Sequence, residues 1–368
     1  MVFLLTEKEF LQEIETVKNV NVFNDIKSHN LPVIVFGASV RAKEITEKLD
    51  HNDISILGYA VDEQYYKPNQ TFLGLPIFNF AELYREKEKY AFVIGMGMSP
   101  AGKRIGQLMG DESLIIYNAD VVKWTHIDYG YIVENRKKFI ETYNLLSDDF
   151  SKKVMIAYLK ACITENIDYV KDVISVGQYY NELTQNSGIE GRGVFVDCGA
   201  CDGVTIGRFI NFVDAKYKKI FAFEPDKENF IKCQKFVEDG KYENIHLFNC
   251  GVWDKKEQLK FNNLGNGASS ISESGKSIVE VNSIDNVVKN EKITFIKMDV
   301  EGSELKALRG AVQTLENFQP TLAICVYHKD EDLITIPQFL RNFYKNSKFY
   351  LRKYNKNNLF ELVLYVIP

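Results

Sequence analysis

The sequence predicts an α/β protein built on doubly wound, Rossmann-like parallel sheets, and three observations carry that expectation. Apolar runs of strand length alternate with stretches at helical spacing along most of the 368 residues. Two of these runs end in glycine turns, Val33-Ile-Val-Phe-Gly-Ala-Ser39 and Val194-Phe-Val-Asp-Cys-Gly-Ala-Cys-Asp-Gly203. The final runs, 348–354 and 359–367, flank Asn355-Lys-Asn-Asn358 and read as a β-hairpin closing the last sheet.

The length favours two domains over one. Hydrophobic content of 45% and charged content of 26% describe a soluble globular chain. The formal net charge is −5 and no basic run is long enough for a nucleic-acid or membrane patch, so nucleic acid is not an expected partner. No apolar stretch approaches a membrane span, and Met1-Val-Phe-Leu-Leu-Thr lacks the form of a signal peptide. The six scattered cysteines suit free thiols in a reducing compartment, so a cytoplasmic protein is expected. Cys198 and Cys201 form a C-x-x-C, but zinc needs a second ligand pair and none lies nearby.

Residues 1–124 read as a small Rossmann-like domain. Strands are expected at 31–37, 55–62, 90–95 and 114–117, with helices at 40–49 and 81–87 and a second glycine turn at Gly95-Met-Gly97. Residues 125–190 form a helical connector without proline, with Ser147-Asp-Asp as a helix cap. Tyr179 and Tyr180 close it, as core residues or as an aromatic wall of a site. Residues 191–368 alternate again. Strands are expected at 194–198, 219–224, 245–249, 293–299 and 321–326, and helices at 205–212, 226–238, 303–315 and 333–344.

The turn after Val196 carries the chemistry. Its glycines let backbone approach a ligand, and Glu224 ends the next strand where a carboxylate can accept both hydroxyls of a ribose. The G-x-G-x-x-G spacing of dinucleotide binders is missing, and Asp197 would repel a pyrophosphate. A ligand with an ammonium group and a sulfonium suits this turn, which points to S-adenosylmethionine.

Four strings then converge: Val196-Asp-Cys-Gly-Ala-Cys-Asp-Gly203, Phe221-Ala-Phe-Glu-Pro-Asp226, Ile296-Lys-Met-Asp-Val-Glu-Gly302 with Glu304, and Ala307-Leu-Arg-Gly-Ala311. Together they resemble the FkbM-type methyltransferases over roughly residues 130–368, which implies a class I methyltransferase sheet. The resemblance also implies an S-adenosylmethionine-dependent O-methyltransferase of glycan or secondary-metabolite pathways. The first domain resembles the nucleotide-sugar-binding domain of bacterial sugar acetyltransferases, through Val33-Ile-Val-Phe-Gly-Ala-Ser39, Leu57-Gly-Tyr-Ala-Val-Asp62 and Gly74-Leu-Pro-Ile77. The acceptor expected is a sugar hydroxyl of a nucleotide sugar or bacterial surface glycan. A homo-oligomer is compatible with the sequence. The alternatives are an NAD-linked sugar-nucleotide-modifying enzyme using the first glycine turn, and a non-catalytic glycan-pathway binding protein.

For the cofactor, the candidate residues are Asp197, Gly199, Ala200, Gly203, Glu224, Pro225, Asn249, Gly251 and Asp299. Asp197 would hold the ammonium group directly or through water. The segment from Asn249 to Val252 would border the adenine. For catalysis the candidates are His328, Asp299 and Glu301. His328 follows the fifth strand and, as a neutral histidine, would take the acceptor's proton, with Asp299 as its rival. Asp299 would otherwise face the cofactor's methionine end. Glu301 would be turned inward at Gly302, and alternatively Glu301 or Glu304 could simply cap the following helix. Asp299, Glu301 and His328 could also hold a divalent metal, which their spacing does not establish, and no metal is assigned.

Overall fold

The computed structural model describes residues 6–96, 102–119, 126–185, 193–262, 269–272, 274–289 and 291–368. Gly97 of the second glycine turn, Gly191 and the segment limits near 124 and 190 lie outside the described residues. Three sheets are present among them.

The first sheet comprises β1 (Val33–Phe36), β2 (Ile56–Val61), β3 (Thr71–Phe72), β4 (Leu75–Asn79), β5 (Ala91–Ile94) and β6 (Ile116–Tyr117), ordered β3-β4-β2-β1-β5-β6. All its pairs are parallel except β3 with β4. The helix Val40–His51 starts at Ser39, whose hydroxyl accepts from the Ala42 amide and donates to the Gly95 carbonyl. Two helices that the sequence reading passed over, Glu7–Glu15 and Val22–Ser28, precede this sheet. They divide between cores. Val22, Phe23 and Ile26 pack with β1 and β2, whereas Phe10 and Ile14 join the cluster that holds Phe139, Tyr158 and Leu159.

Those three residues belong to the connector helices Arg136–Leu145 and Asp149–Thr164. Asp148 caps the longer helix by accepting from the Ser151 amide at 2.7 Å, and the same carboxylate binds Arg352 at 2.6 Å. One acid thus both starts the helix and fixes it to the edge of the last sheet.

That sheet contains β7 (Gly193–Cys198), β8 (Tyr217–Phe223) and β9 (Ile245–Phe248). After four intervening strands come β14 (Phe295–Met298), β15 (Thr321–Cys325), β16 (Lys348–Lys353) and β17 (Leu362–Ile367). The order is β16-β17-β15-β14-β7-β8-β9, with β16 and β17 forming the expected antiparallel closing hairpin. Alternation splits the strands between two cores. Val194 and Val196 face the connector, while Phe195 faces the opposite layer, where it stacks on Phe209 and Phe295 at 4.2 and 5.2 Å. Such ring pairs add about 0.5–1.5 kcal/mol each beyond burial.

Two differences from the sequence reading matter for the site. The single helix expected at 303–315 is two, Glu304–Arg309 and Val312–Phe318, because Gly310 admits the Trp253 carbonyl; a Cβ there would lie 1.9 Å from that oxygen. Between β9 and β14 an unforeseen sheet appears, ordered β10-β13-β11-β12, from β10 (Gly251–Val252), β11 (Glu257–Asn262), β12 (Ser270–Ile271) and β13 (Ser277–Asn282). Among the described residues no helix is long and apolar enough to cross a membrane.

Candidate active site

The chain runs β7, β8, β9 to one side of the last sheet and then resumes with β14 on the other side of β7. This places a topological switch point between β7 and β14, where open α/β sheets bind ligands. A cleft lies there. Its walls include Gly199, Cys201, Glu224, Pro225, Gly251, Val252, Phe261, Ser269 to Ile271, Asp299, Val300 and Glu301.

Gly199 is required by geometry. Its φ is +85°, and a Cβ would fall 2.0 Å from the Asp299 carbonyl oxygen. The turn is thereby pressed against the end of β14, and the Asp299 amide donates to the Cys198 carbonyl at 3.0 Å.

Glu224, just past β8, is 7% exposed and sits on the cleft wall. Its two oxygens accept from the backbone amides of Cys201 at 2.8 Å and Asp226 at 2.9 Å. Burial pushes its carboxyl up to about 7, although those two amides pull the other way. Lys297 contributes only a smaller opposing effect.

Several candidates are placed differently from the expectation. Asp197 is fully buried beneath the turn and absent from the cleft wall. Strand register sets it opposite Lys297, whose ammonium lies 3.0 Å away, and the Thr205 hydroxyl donates to it at 2.6 Å. Lys297 in turn donates to the Gly199 carbonyl at 2.6 Å. The pair supports the turn from below, so direct contact between Asp197 and a ligand's ammonium group is corrected. Burying this carboxylate alone would cost several kcal/mol, roughly what its partner must offset. Burial pulls the Lys297 ammonium down, but Asp197 and Asp299 outweigh it and hold it raised.

Ala200 and Gly203 also lie off the cleft. Ala200 is core, and a Cβ on Gly203 would meet the Phe236 ring at 2.9 Å, so this glycine serves helix packing. Asn249 donates to the carbonyls of Glu224 and Pro225 and braces the tip of β8 from outside. Gly199, Glu224, Pro225, Gly251, Asp299 and Glu301 do line the cleft.

β14 ends at Met298, so Asp299 and Glu301 project from a turn. Glu301 at φ +51° and Gly302 at +89° reverse the chain and bring Glu301 to the cleft. Asp299 Oδ2 accepts from the Tyr179 hydroxyl at 2.7 Å, and Oδ1 lies 3.5 Å from the Tyr327 hydroxyl. Burial raises the Asp299 carboxyl, but His328, Lys297 and Tyr179 together leave it lowered.

His328 is nearly enclosed and is not on the cleft wall. Its Nδ1 lies 2.8 Å from Glu304 Oε1, and its Nε2 is 3.5 Å from both Asp299 Oδ1 and Glu301 Oε2. Burial disfavours its charge, yet Glu304, Glu301 and Asp299 outweigh burial and hold the ring protonated well above its usual range. The neutral histidine base expected from the sequence is therefore corrected. Glu304 does not cap its helix in the ordinary way. It is fully buried and accepts from the Val300 amide at 3.0 Å while facing His328.

The sequence reading missed Phe261 and Ser269 to Ile271 because it missed their sheet. The period-two alternation of Glu257-Gln-Leu-Lys-Phe and Ser277-Ile-Val-Glu-Val was the available signal. Tyr179 was noticed, but its contact with Asp299 spans 120 residues and leaves no local trace.

Residues 197–351 match the methyltransferase FkbM domain. The chain thus carries a methyltransferase FkbM domain and is a methyltransferase. S-adenosylmethionine is its methyl donor, and the NAD-linked alternative falls away with that assignment. The fold is shared along nearly its whole length with the methyltransferase FkbM from Methylobacillus flagellatus KT, covering 98% of each chain with a TM-score of 0.76 at 20% identity. An rRNA methylase from Streptococcus thermophilus is 15% identical, covering 50% of this chain and 90% of that one with a TM-score of 0.35. Aeropyrum pernix fibrillarin with bound S-adenosyl-L-methionine is 9% identical over 49% of this chain and 68% of that one, with a TM-score of 0.33. These two likenesses are too distant to carry an argument about this methyltransferase. No curated protein matches it in sequence.

Proposed function

We propose that this methyltransferase transfers the methyl group to a sugar hydroxyl of a nucleotide sugar or bacterial surface glycan. The observation that carries an oxygen acceptor is Asp299, a carboxylate at the switch point kept ionised chiefly by His328 and Lys297 and fixed in direction by Tyr179. The sugar class rests on the family resemblance and on the nucleotide-sugar likeness of the first sheet's motifs.

The cleft fits the cofactor. Gly199 lets the turn close onto the end of β14, where a Cβ would meet the Asp299 carbonyl, and Glu224 offers a buried carboxylate whose own hydrogen bonds come from backbone amides. Glu224 holds the ribose hydroxyls, the Gly199 turn meets the methionine part, and Gly251, Val252 and Phe261 wall the adenine. The bound cofactor supplies an electrophilic methyl group on a sulfonium. The protein's remaining tasks are alignment of the acceptor oxygen and removal of its proton. Asp299 orients the hydroxyl and takes that proton, with Glu301 beside it on the same wall.

Mass spectrometry of methyl transfer to a panel of nucleotide sugars and glycans tests the acceptor. A methylated sugar is expected. Transfer only to acceptors without a sugar contradicts the reading. Asp299→Asn should lower turnover by about 10²–10⁴-fold while S-adenosylhomocysteine still binds.

A further inference from the structure

The charges around His328 do not balance within the protein. Lys297 pairs directly with Asp197 and acts on Asp299 only from a longer range, so among the described residues Asp299, Glu301 and Glu304 have one imidazole as their ion-pair partner. An imidazolium needs one carboxylate partner, and further carboxylates crowded around it repel one another unless another cation joins them. Glu304 is 0% exposed, and its Oε2 has no hydrogen-bond partner among the described residues. An orphaned buried carboxylate oxygen is costly, and a metal ligand is one arrangement that removes the cost.

We propose that Asp299, Glu304 and His328 bind a first-row divalent cation, of which Mn²⁺ is the representative, beside the methyl-transfer cleft. One ligand atom from each of the three lies within 4.8 Å of the others. Glu301 Oε2, 3.5 Å from His328 Nε2, flanks the open side toward the cleft. One imidazole with two carboxylates suits Mn²⁺ or Zn²⁺ better than Mg²⁺, which prefers oxygen alone. Three protein ligands leave positions for water or an acceptor oxygen, the pattern of a catalytic site. A cation there would favour ionisation of an acceptor hydroxyl held near Asp299. That consequence rests on the proposed oxygen acceptor; binding of the cation does not.

The test is Mn²⁺ titration of the full chain after chelator treatment, followed by electron paramagnetic resonance. One Mn²⁺ per chain is expected, and pulsed measurement on the wild-type complex should show coupling to an imidazole nitrogen. Glu304→Gln and His328→Gln should each weaken Mn²⁺ binding at least about tenfold. No stoichiometric Mn²⁺, no nitrogen coupling, or equal affinity in folded variants overturns the site. The wild-type nitrogen coupling decides the matter if a variant fails to fold. S-adenosylhomocysteine titrated into the same samples keeps the two readings apart: retained binding without Mn²⁺ rejects only the cation.

Discussion

Two glycine turns of this protein, the first after β1 and the second after β7, share one grammar and differ in outcome. Each ends a buried strand, opens a helix, and is followed by an acid at the tip of the neighbouring strand. In the first, that acid is Asp62, and Arg104 grips it through two hydrogen bonds at 2.7 and 3.1 Å. Gly37 there is pressed on Gly95, where a Cβ would meet the carbonyl oxygen at 2.8 Å, and Ser39 ties the same carbonyl. Asp62 borders a cavity with Phe80, Tyr84 and Arg104, but its charge is already answered. In the second turn Glu224 meets only backbone amides among the described residues, and the switch point beside it opens a cleft. On the proposed reading, what separates a binding turn from a structural one is whether its acid already has a cation.

Substitutions paired across the two turns should break this contrast if it is wrong. Gly199→Ala is expected to have the largest effect, since a Cβ 2.0 Å from the Asp299 carbonyl at φ +85° must displace β14's end. S-adenosylhomocysteine binding should be lost and thermal unfolding should fall by several degrees, whereas Gly37→Ala should lower stability alone. Calorimetric titration and melting of both variants check this. Next, Glu224→Ala should weaken S-adenosylhomocysteine by about hundredfold, the scale of two hydrogen bonds to a charged acceptor, and Asp62→Ala should leave that affinity unchanged.

A pH effect of intermediate size follows from Glu224. Ribose hydroxyls donate to the ionised form, so affinity for S-adenosylhomocysteine should rise with pH through about 7, by at most about tenfold per unit, and then level off. Stability of the free chain moves oppositely. A carboxyl raised in the folded state gives a contribution that is complete below its unfolded value and is lost as pH rises through about 7. Titrations at several pH values on wild type and Glu224→Gln separate this from other groups. The smallest effect expected is that of Arg104→Ala, about 1 kcal/mol of stability for a partly exposed pair and none on the cofactor, read by denaturant unfolding.

Much of this was legible in the sequence where the signal is local. Val194 to Cys198, the closing hairpin and the Ser147-Asp-Asp cap follow from periodicity and side-chain chemistry, and the structure has each of them. The cleft residues Gly199, Glu224 and Asp299 came from strand tips and turns. Side-chain direction at those tips was not legible. Asp197 and Glu224 both end strands, yet only register with Lys297 sends Asp197 beneath the turn. His328 looked like a neutral base because Glu301 and Glu304, from a different strand end, were not known to face it. Phe261 and Ser269 to Ile271 were missed because an inserted sheet brings them to the cleft from beyond the βαβ repeat.

The most direct measurement is calorimetric titration of S-adenosylhomocysteine into the wild-type chain, Glu224→Ala and Asp62→Ala side by side. One equivalent per chain is predicted for wild type and Asp62→Ala with equal affinity, and about hundredfold weaker binding for Glu224→Ala. Unchanged affinity in Glu224→Ala, or its loss in Asp62→Ala, would contradict the assignment of the methyl-donor site to the second turn.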